Sequence, residues 1–132
     1  MQFLKSINRY KFTIICFIAI NYLCFMNAPE ISSPRYILSI RFDLFAHFSM
    51  FFGLSFLFFF EKYRKNKDKI LKSSENHKYI LLIVLFGFFI ELFQPILSNR
   101  SRELYDFLAD VIGSYTGYSG FLLLRKFFFT YF

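Results

Sequence analysis

Residues 51–60 read FFGLSFLFFF, and a helix drawn through them has no polar face. Such a helix needs either the interior of a large protein or lipid around it. The chain has 132 residues and is 56% hydrophobic, more apolar surface than one small soluble core can hide. A soluble helical bundle is therefore rejected and lipid is taken as the solvent. Four apolar segments can be read, at about residues 12–28, 42–60, 79–97 and 105–124. A membrane span takes roughly 20 apolar residues, with a range of about 17–25. The second and fourth segments meet that readily, and the first and third must borrow flanking residues. The expectation is an all-α, polytopic integral membrane protein. It forms one domain over residues 1–132, with four transmembrane helices in a compact antiparallel bundle.

The charges set an orientation. Lys5, Arg9 and Lys11 precede the first segment, seven Lys/Arg fill the loop 61–78, and Arg125 and Lys126 lie in the tail. Those twelve fall on one side, against Arg35, Arg41, Arg100 and Arg102 on the other. Positive residues collect on the cytoplasmic side, so both termini are expected inside, in the cytoplasmic membrane. The basic loop is read as lying against anionic lipid headgroups. Topology accounts for its lysines, so no nucleic-acid partner is expected. Cys16 and Cys24 are eight residues apart in the first segment, about 12 Å along a helix, too far for a disulfide. That segment lacks a small-residue cleavage site and is read as a retained helix.

The alternation of spans gathers the polar residues. Asp43 stands at the outer end of the second span, with His47 one turn deeper on the same face. Glu91 and Gln94 lie near the outer end of the third, where Pro95 is expected to end or kink the helix. Arg100 falls in the outer loop, and Asp106 and Asp110 in the first turns of the fourth span. Asp106, Asp110, Gly113, Gly117 and Gly120 are spaced 4, 3, 4 and 3. At about 100° per residue they share an arc of roughly 80°. The small residues let helices approach closely in lipid, so the acidic face is also the packing face. Packing alone accounts for the glycines. For the acids two readings stand: a hydrogen-bonded network joining the spans, or a binding or catalytic site, with Arg100 as counter-ion.

These residues resemble the VanZ-like membrane proteins. The late part of that family's signature is E-x-x-Q, an Arg, then D-x-x-x-N-x-x-G-x-x-x-G. Here it reads Glu91-x-x-Gln94, Arg100, then Asp106-x-x-x-Asp110-x-x-Gly113-x-x-x-Gly117. The early part, D-K-x-x-H before an aromatic-rich helix, reads DLFAHFSMFFG, with Asp43, His47 and Gly53. Leu44 stands where the family usually has Lys, and Asp110 where it usually has Asn. The second change makes the outer cluster more acidic. The family is named for an accessory protein associated with low-level teicoplanin resistance, so the resemblance implies a cell-envelope membrane protein.

Three functions compete on this reading. The first is binding of a lipid headgroup, a cell-wall precursor or a lipophilic glycopeptide at the outer polar cluster. The second is an intramembrane enzyme, with Asp43, His47, Glu91, Asp106 and Asp110 as metal ligands or a general base. The third is a structural or transporter subunit whose acids tie helices together. No compact metal-ligand motif is present, so neither metal nor cofactor is expected. Membrane lipids are the expected partners.

Overall fold

A computed structural model describes residues 1–27, 36–37, 40–64 and 73–131. Among them are five helices: α1 (Gln2–Arg9), α2 (Lys11–Phe25), α3 (Phe42–Tyr63), α4 (Ser73–Leu97) and α5 (Leu104–Tyr131). A two-residue antiparallel ladder, β1 (Tyr36–Ile37) with β2 (Ile40–Arg41), pairs Tyr36 with Arg41 and Ile37 with Ile40 just before α3. Among the described residues the regular structure is otherwise all helical. Residues 65–72 of the basic loop expected at 61–78 lie outside the described residues.

Among the described residues three helices are long and apolar enough to cross a membrane: Phe42–Tyr63, Ser74–Leu97 and Leu104–Phe128. The segment expected at 12–28 forms a shorter helix, 15 residues ending at Phe25, where Met26 turns to extended backbone. Fifteen residues rise only about 22 Å, against a hydrocarbon core of about 30 Å. The basic N-terminal segment is itself helical. Its α1 leaves Phe3, Leu4 and Ile7 exposed at i, i+1 and i+4. Pro95 does not end α4, which continues to Leu97. It lies so near the terminus that only the Glu91 carbonyl loses its intrahelical donor. Ser98 then closes the end, giving both its N–H and its hydroxyl to the Gln94 carbonyl, at 2.9 and 2.8 Å.

Packing between helices centres on α3 against α5, with α2 and α4 filling in around them. One apolar cluster joins Ile20 and Cys24 of α2, Phe51 and Leu54 of α3, and Ile90 of α4. A second, toward the other end, joins Phe59, Ile80 and Phe121. Both cysteines are free thiols. Leu81, Leu82, Ile96, Ile112, Leu123 and Phe127 are each more than half exposed, which suits lipid and not water. In lipid, burial of apolar surface between helices drives little, and close packing and polar contacts must do more.

Those polar contacts are present. Glu61 is 1% exposed and its carboxylate caps the start of α2. It accepts hydrogen bonds from the N–H groups of Phe12 (3.0 Å) and Thr13 (2.9 Å) and from the Thr13 hydroxyl (2.7 Å). The first N–H groups of a helix have no partner within it, so an acid from α3 completes the end of α2. On the same side of the molecule the Tyr63 hydroxyl donates to Asn76 Oδ1 (2.6 Å), and Asn76 Nδ2 donates to the Tyr118 hydroxyl (3.1 Å). That buried amide links α3, α4 and α5.

The glycines set how closely α3 and α5 meet. A Cβ built on Gly113 would stand 2.5 Å from the Phe48 carbonyl oxygen, and one on Gly117 would collide with that of Phe52. Gly120 faces only the Phe52 and Phe56 rings, at 3.3 Å and beyond.

Candidate functional site

The N-terminal turns of α3 and α5 and the C-terminal turns of α4 meet at one buried polar cluster. His47 comes from α3, Glu91 from α4, and Asp106 and Asp110 from α5. They are 2%, 4%, 6% and 0% exposed. The close approach permitted by Gly113 brings α5 near enough for Asp110 to reach His47. Asp110 Oδ1 lies 2.9 Å from His47 Nδ1. Glu91 Oε1 lies 3.7 Å from the same nitrogen, and Asp106 Oδ2 lies 3.9 Å from Nε2 on the other side of the ring. An ionised Asp110 accepts the Nδ1 proton and leaves the Nε2 lone pair facing Asp106.

Space for Asp110 is made by Gly87 of α4. A Cβ there would sit 3.0 Å from Asp110 Oδ2 and 3.1 Å from both Asp110 Cβ and the Phe51 ring. Gly87 went unnoticed in the sequence, although Gly87, Glu91 and Gln94 repeat the 4, 3 spacing of the acidic face of α5. Three carboxylate oxygens in this cluster, Glu91 Oε1, Asp106 Oδ1 and Asp110 Oδ2, are buried without a hydrogen-bond partner. The Glu103 N–H, at 3.3 Å, donates to the other oxygen of Glu91.

Above the cluster is a cavity of about 230 Å³, lined by Asp43, Gln94, Asn99, Arg100, Ser101, Glu103 and Asp106. Asp106 is thus shared between the buried cluster and the cavity. Arg100 is half-buried, and its Nε is buried without a hydrogen-bond partner. Gln94 donates through Nε2 to the Cys24 carbonyl (3.2 Å), tying the end of α2 to α4. Asp43 is not in the buried cluster. It is the second residue of α3, its side chain is 52% exposed, and it lies 3.5 Å from Arg41.

Arg41, which the sequence marked only as an outer-loop charge, makes the strongest ion pair here. Its Nη1 and Nη2 donate to Glu103 Oε2 (2.6 Å) and Oε1 (3.1 Å), a two-pronged clamp across the starts of α3 and α5. That bond holds the Glu103 carboxyl below the ordinary carboxylate range and raises the Arg41 guanidinium in turn. With Arg41 committed to Glu103, Arg100 is left facing the cavity.

A family model for VanZ/LLP1 matches residues 2–125. The chain belongs to the VanZ/LLP1 family. No curated protein and no solved structure matches it. The VanZ/LLP1 match takes in every residue of the cluster and the cavity, and all of the chain from α1 to most of α5. Within this VanZ/LLP1 protein the seven polar residues singled out from the sequence divide in two. His47, Glu91, Asp106 and Asp110 form a buried centre, while Asp43, Gln94 and Arg100 line the cavity that Asp106 connects to it.

Proposed function

We propose that this protein sits in the cytoplasmic membrane of the cell envelope with both termini inside, and that its polar cavity opens at the outer leaflet. The excess of positive residues up to the start of α2, across 61–78 and near the C-terminal end of α5 supports that orientation. On this reading the three long helices cross the bilayer in alternating directions. Helix α2 is a fourth, shorter membrane-embedded helix, and α1 lies in the interface with Phe3, Leu4 and Ile7 in the acyl boundary. Residues 1–132 then act as one domain, and the basic 61–78 segment rests on anionic headgroups.

The cavity binds the polar headgroup of a membrane amphiphile: a lipid, a lipid-linked cell-wall precursor or a lipophilic glycopeptide of the teicoplanin class. The observation that carries this is Arg100, whose Nε is buried and unpartnered in a cavity otherwise lined by acids, amides and a serine. A headgroup with a phosphate or carboxylate beside hydroxyls or an amine satisfies both sets of groups. Losing one charge-assisted contact costs about 1.5–3 kcal/mol, or roughly 10- to 100-fold in affinity. Native mass spectrometry of the purified protein with a panel of headgroups should therefore show weakened retention in Arg100→Ala and Asp106→Asn. Equal retention by both variants and wild type would end this reading.

A second reading is an enzyme acting on the bound headgroup. It rests on the His47–Asp110 pair, an imidazole oriented by a carboxylate as in general-base catalysis. Incubation with candidate headgroup esters tests it. Products that persist in His47→Gln would exclude it.

A further inference from the structure

One ligand atom from each of His47, Glu91 and Asp106 lies within 4.8 Å of the other two. All three residues are more than nine-tenths buried. The ion pairs around Glu91, Asp106 and Asp110 run to His47. One imidazolium cannot balance three carboxylates, and unpaired charge at membrane depth is costly. Glu91 Oε1 and Asp106 Oδ1 add an independent sign, since both are buried without a partner, and Glu91 Oε1 faces the ring. A buried acceptor left bare in this way calls for a partner, and an ion is one that would serve several such oxygens at once.

We infer that His47, Glu91 and Asp106 form a binding site for a divalent first-row transition ion of the Zn²⁺ kind, with Asp110 orienting the imidazole. The donor set selects the ion. Calcium takes six to eight oxygen ligands, which this cluster does not offer, and an imidazole suits zinc and its neighbours. Two carboxylates and one imidazole leave a fourth position open toward the cavity that Asp106 also lines. A tetrahedral zinc holds its ligand atoms about 3.4 Å apart, at bonds of about 2.0–2.1 Å. Asp106 already lies on the Nε2 side, whereas Glu91, now 3.7 Å from Nδ1, must swing along the ring edge to join it.

Asp110 has the part of an outer partner. It engages Nδ1 at 2.9 Å and so presents Nε2 as the metal-binding nitrogen. Carboxylate partners of this kind fix the tautomer of a ligating histidine and raise its basicity. An Asn at this position would hold the ring less strongly.

The test uses the full chain, purified in detergent, stripped with chelator and then equilibrated with Zn²⁺. Metal per chain is counted by elemental analysis after desalting, and Co²⁺ loading adds a visible absorption band. Wild type should retain one Zn²⁺ per chain and show the Co²⁺ band. His47→Gln and Glu91→Gln should lose both. Asp110→Asn should bind about 10- to 100-fold more weakly. Glu75→Gln, at an exposed position in the first turn of α4, should match wild type. Gel filtration of each variant separates loss of the ion from loss of the fold. Wild type that retains no stoichiometric Zn²⁺ overturns the inference, as does equal binding by His47→Gln and wild type. No headgroup is present in this experiment, so its outcome is separate from that of the retention assay.

Discussion

A methyl group at Gly117 has nowhere to go. It would collide with the Phe52 carbonyl oxygen and stand 3.1 Å from Phe52 C and Cα, all of them backbone atoms of α3. Carbon atoms in ordinary contact lie about 3.5–4.0 Å apart, so no rotamer change relieves the overlap and the helices must separate. Among the described elements the α3–α5 contact is the most extensive, so the strain falls on the main interface. Overpacking of this kind costs about 1–3 kcal/mol. Gly53 of α3 supplies the control, because a Cβ there meets nothing within 4 Å. Both Gly→Ala changes gain the same helix propensity, about 1 kcal/mol, so their difference isolates the collision. Gly117→Ala should therefore be less stable than Gly53→Ala by about 1–3 kcal/mol in reversible unfolding by SDS in mixed micelles. Gly53→Ala should equal or slightly exceed wild type. Equal stability of the two variants would refute the claim that Gly117 sets the α3–α5 distance.

Gly87→Ala should cost about 1–3 kcal/mol by pressing on Asp110, and Asp110→Ala should relieve part of it in a double-mutant cycle. Strict additivity would show that the two residues do not touch. Glu61→Ala strips the cap from α2 and should cost about 1–3 kcal/mol, with faster hydrogen exchange at Phe12 and Thr13. Unchanged exchange there would contradict the cap. Glu103 has its carboxyl pKa lowered by the bond from Arg41, so the stability it contributes is present above the ordinary value of 4.5. It is lost as pH falls through the lower, folded value. Wild type should thus lose more thermal stability than Glu103→Gln between pH 6 and about pH 3, by about 1 kcal/mol or less for a part-exposed pair. Parallel pH profiles would remove the pair from the account.

How much of this was legible in the residues differs from feature to feature. Hydropathy separated the apolar segments because lipid demands long uninterrupted runs, and three of them are helices long enough to cross. It overextended the first, since nothing in "CFMNA" marks the point where Met26 leaves the helix. The 4, 3 spacing put Asp106, Asp110, Gly113 and Gly117 on one face, and all four do face the helices around them. The same periodicity paired Asp43 with His47. It could not tell that a residue in the first turn would turn outward to Arg41. Arg100 was chosen as counter-ion by its place in the loop, whereas Arg41 is the one that clamps Glu103. Which arginine reaches depends on the path of the backbone between elements, and side-chain type does not report it. Glu61 was not singled out, because its partners, Phe12 and Thr13, lie 49 and 48 residues away along the chain. No metal centre was expected, because His47, Glu91 and Asp106 come one from each of three helices and leave no compact motif.

The central claim is that the polar cavity opens at the outer face of the membrane, and cysteine accessibility tests it most directly. In a chain with Cys16 and Cys24 replaced by serine, Ser101→Cys places a thiol at the cavity and Ser74→Cys places one at the exposed start of α4. Intact cells are treated with a membrane-impermeant maleimide. The account predicts labelling of Ser101→Cys in intact cells, and of Ser74→Cys only after permeabilisation. Labelling of Ser74→Cys from outside, with Ser101→Cys protected, would contradict it.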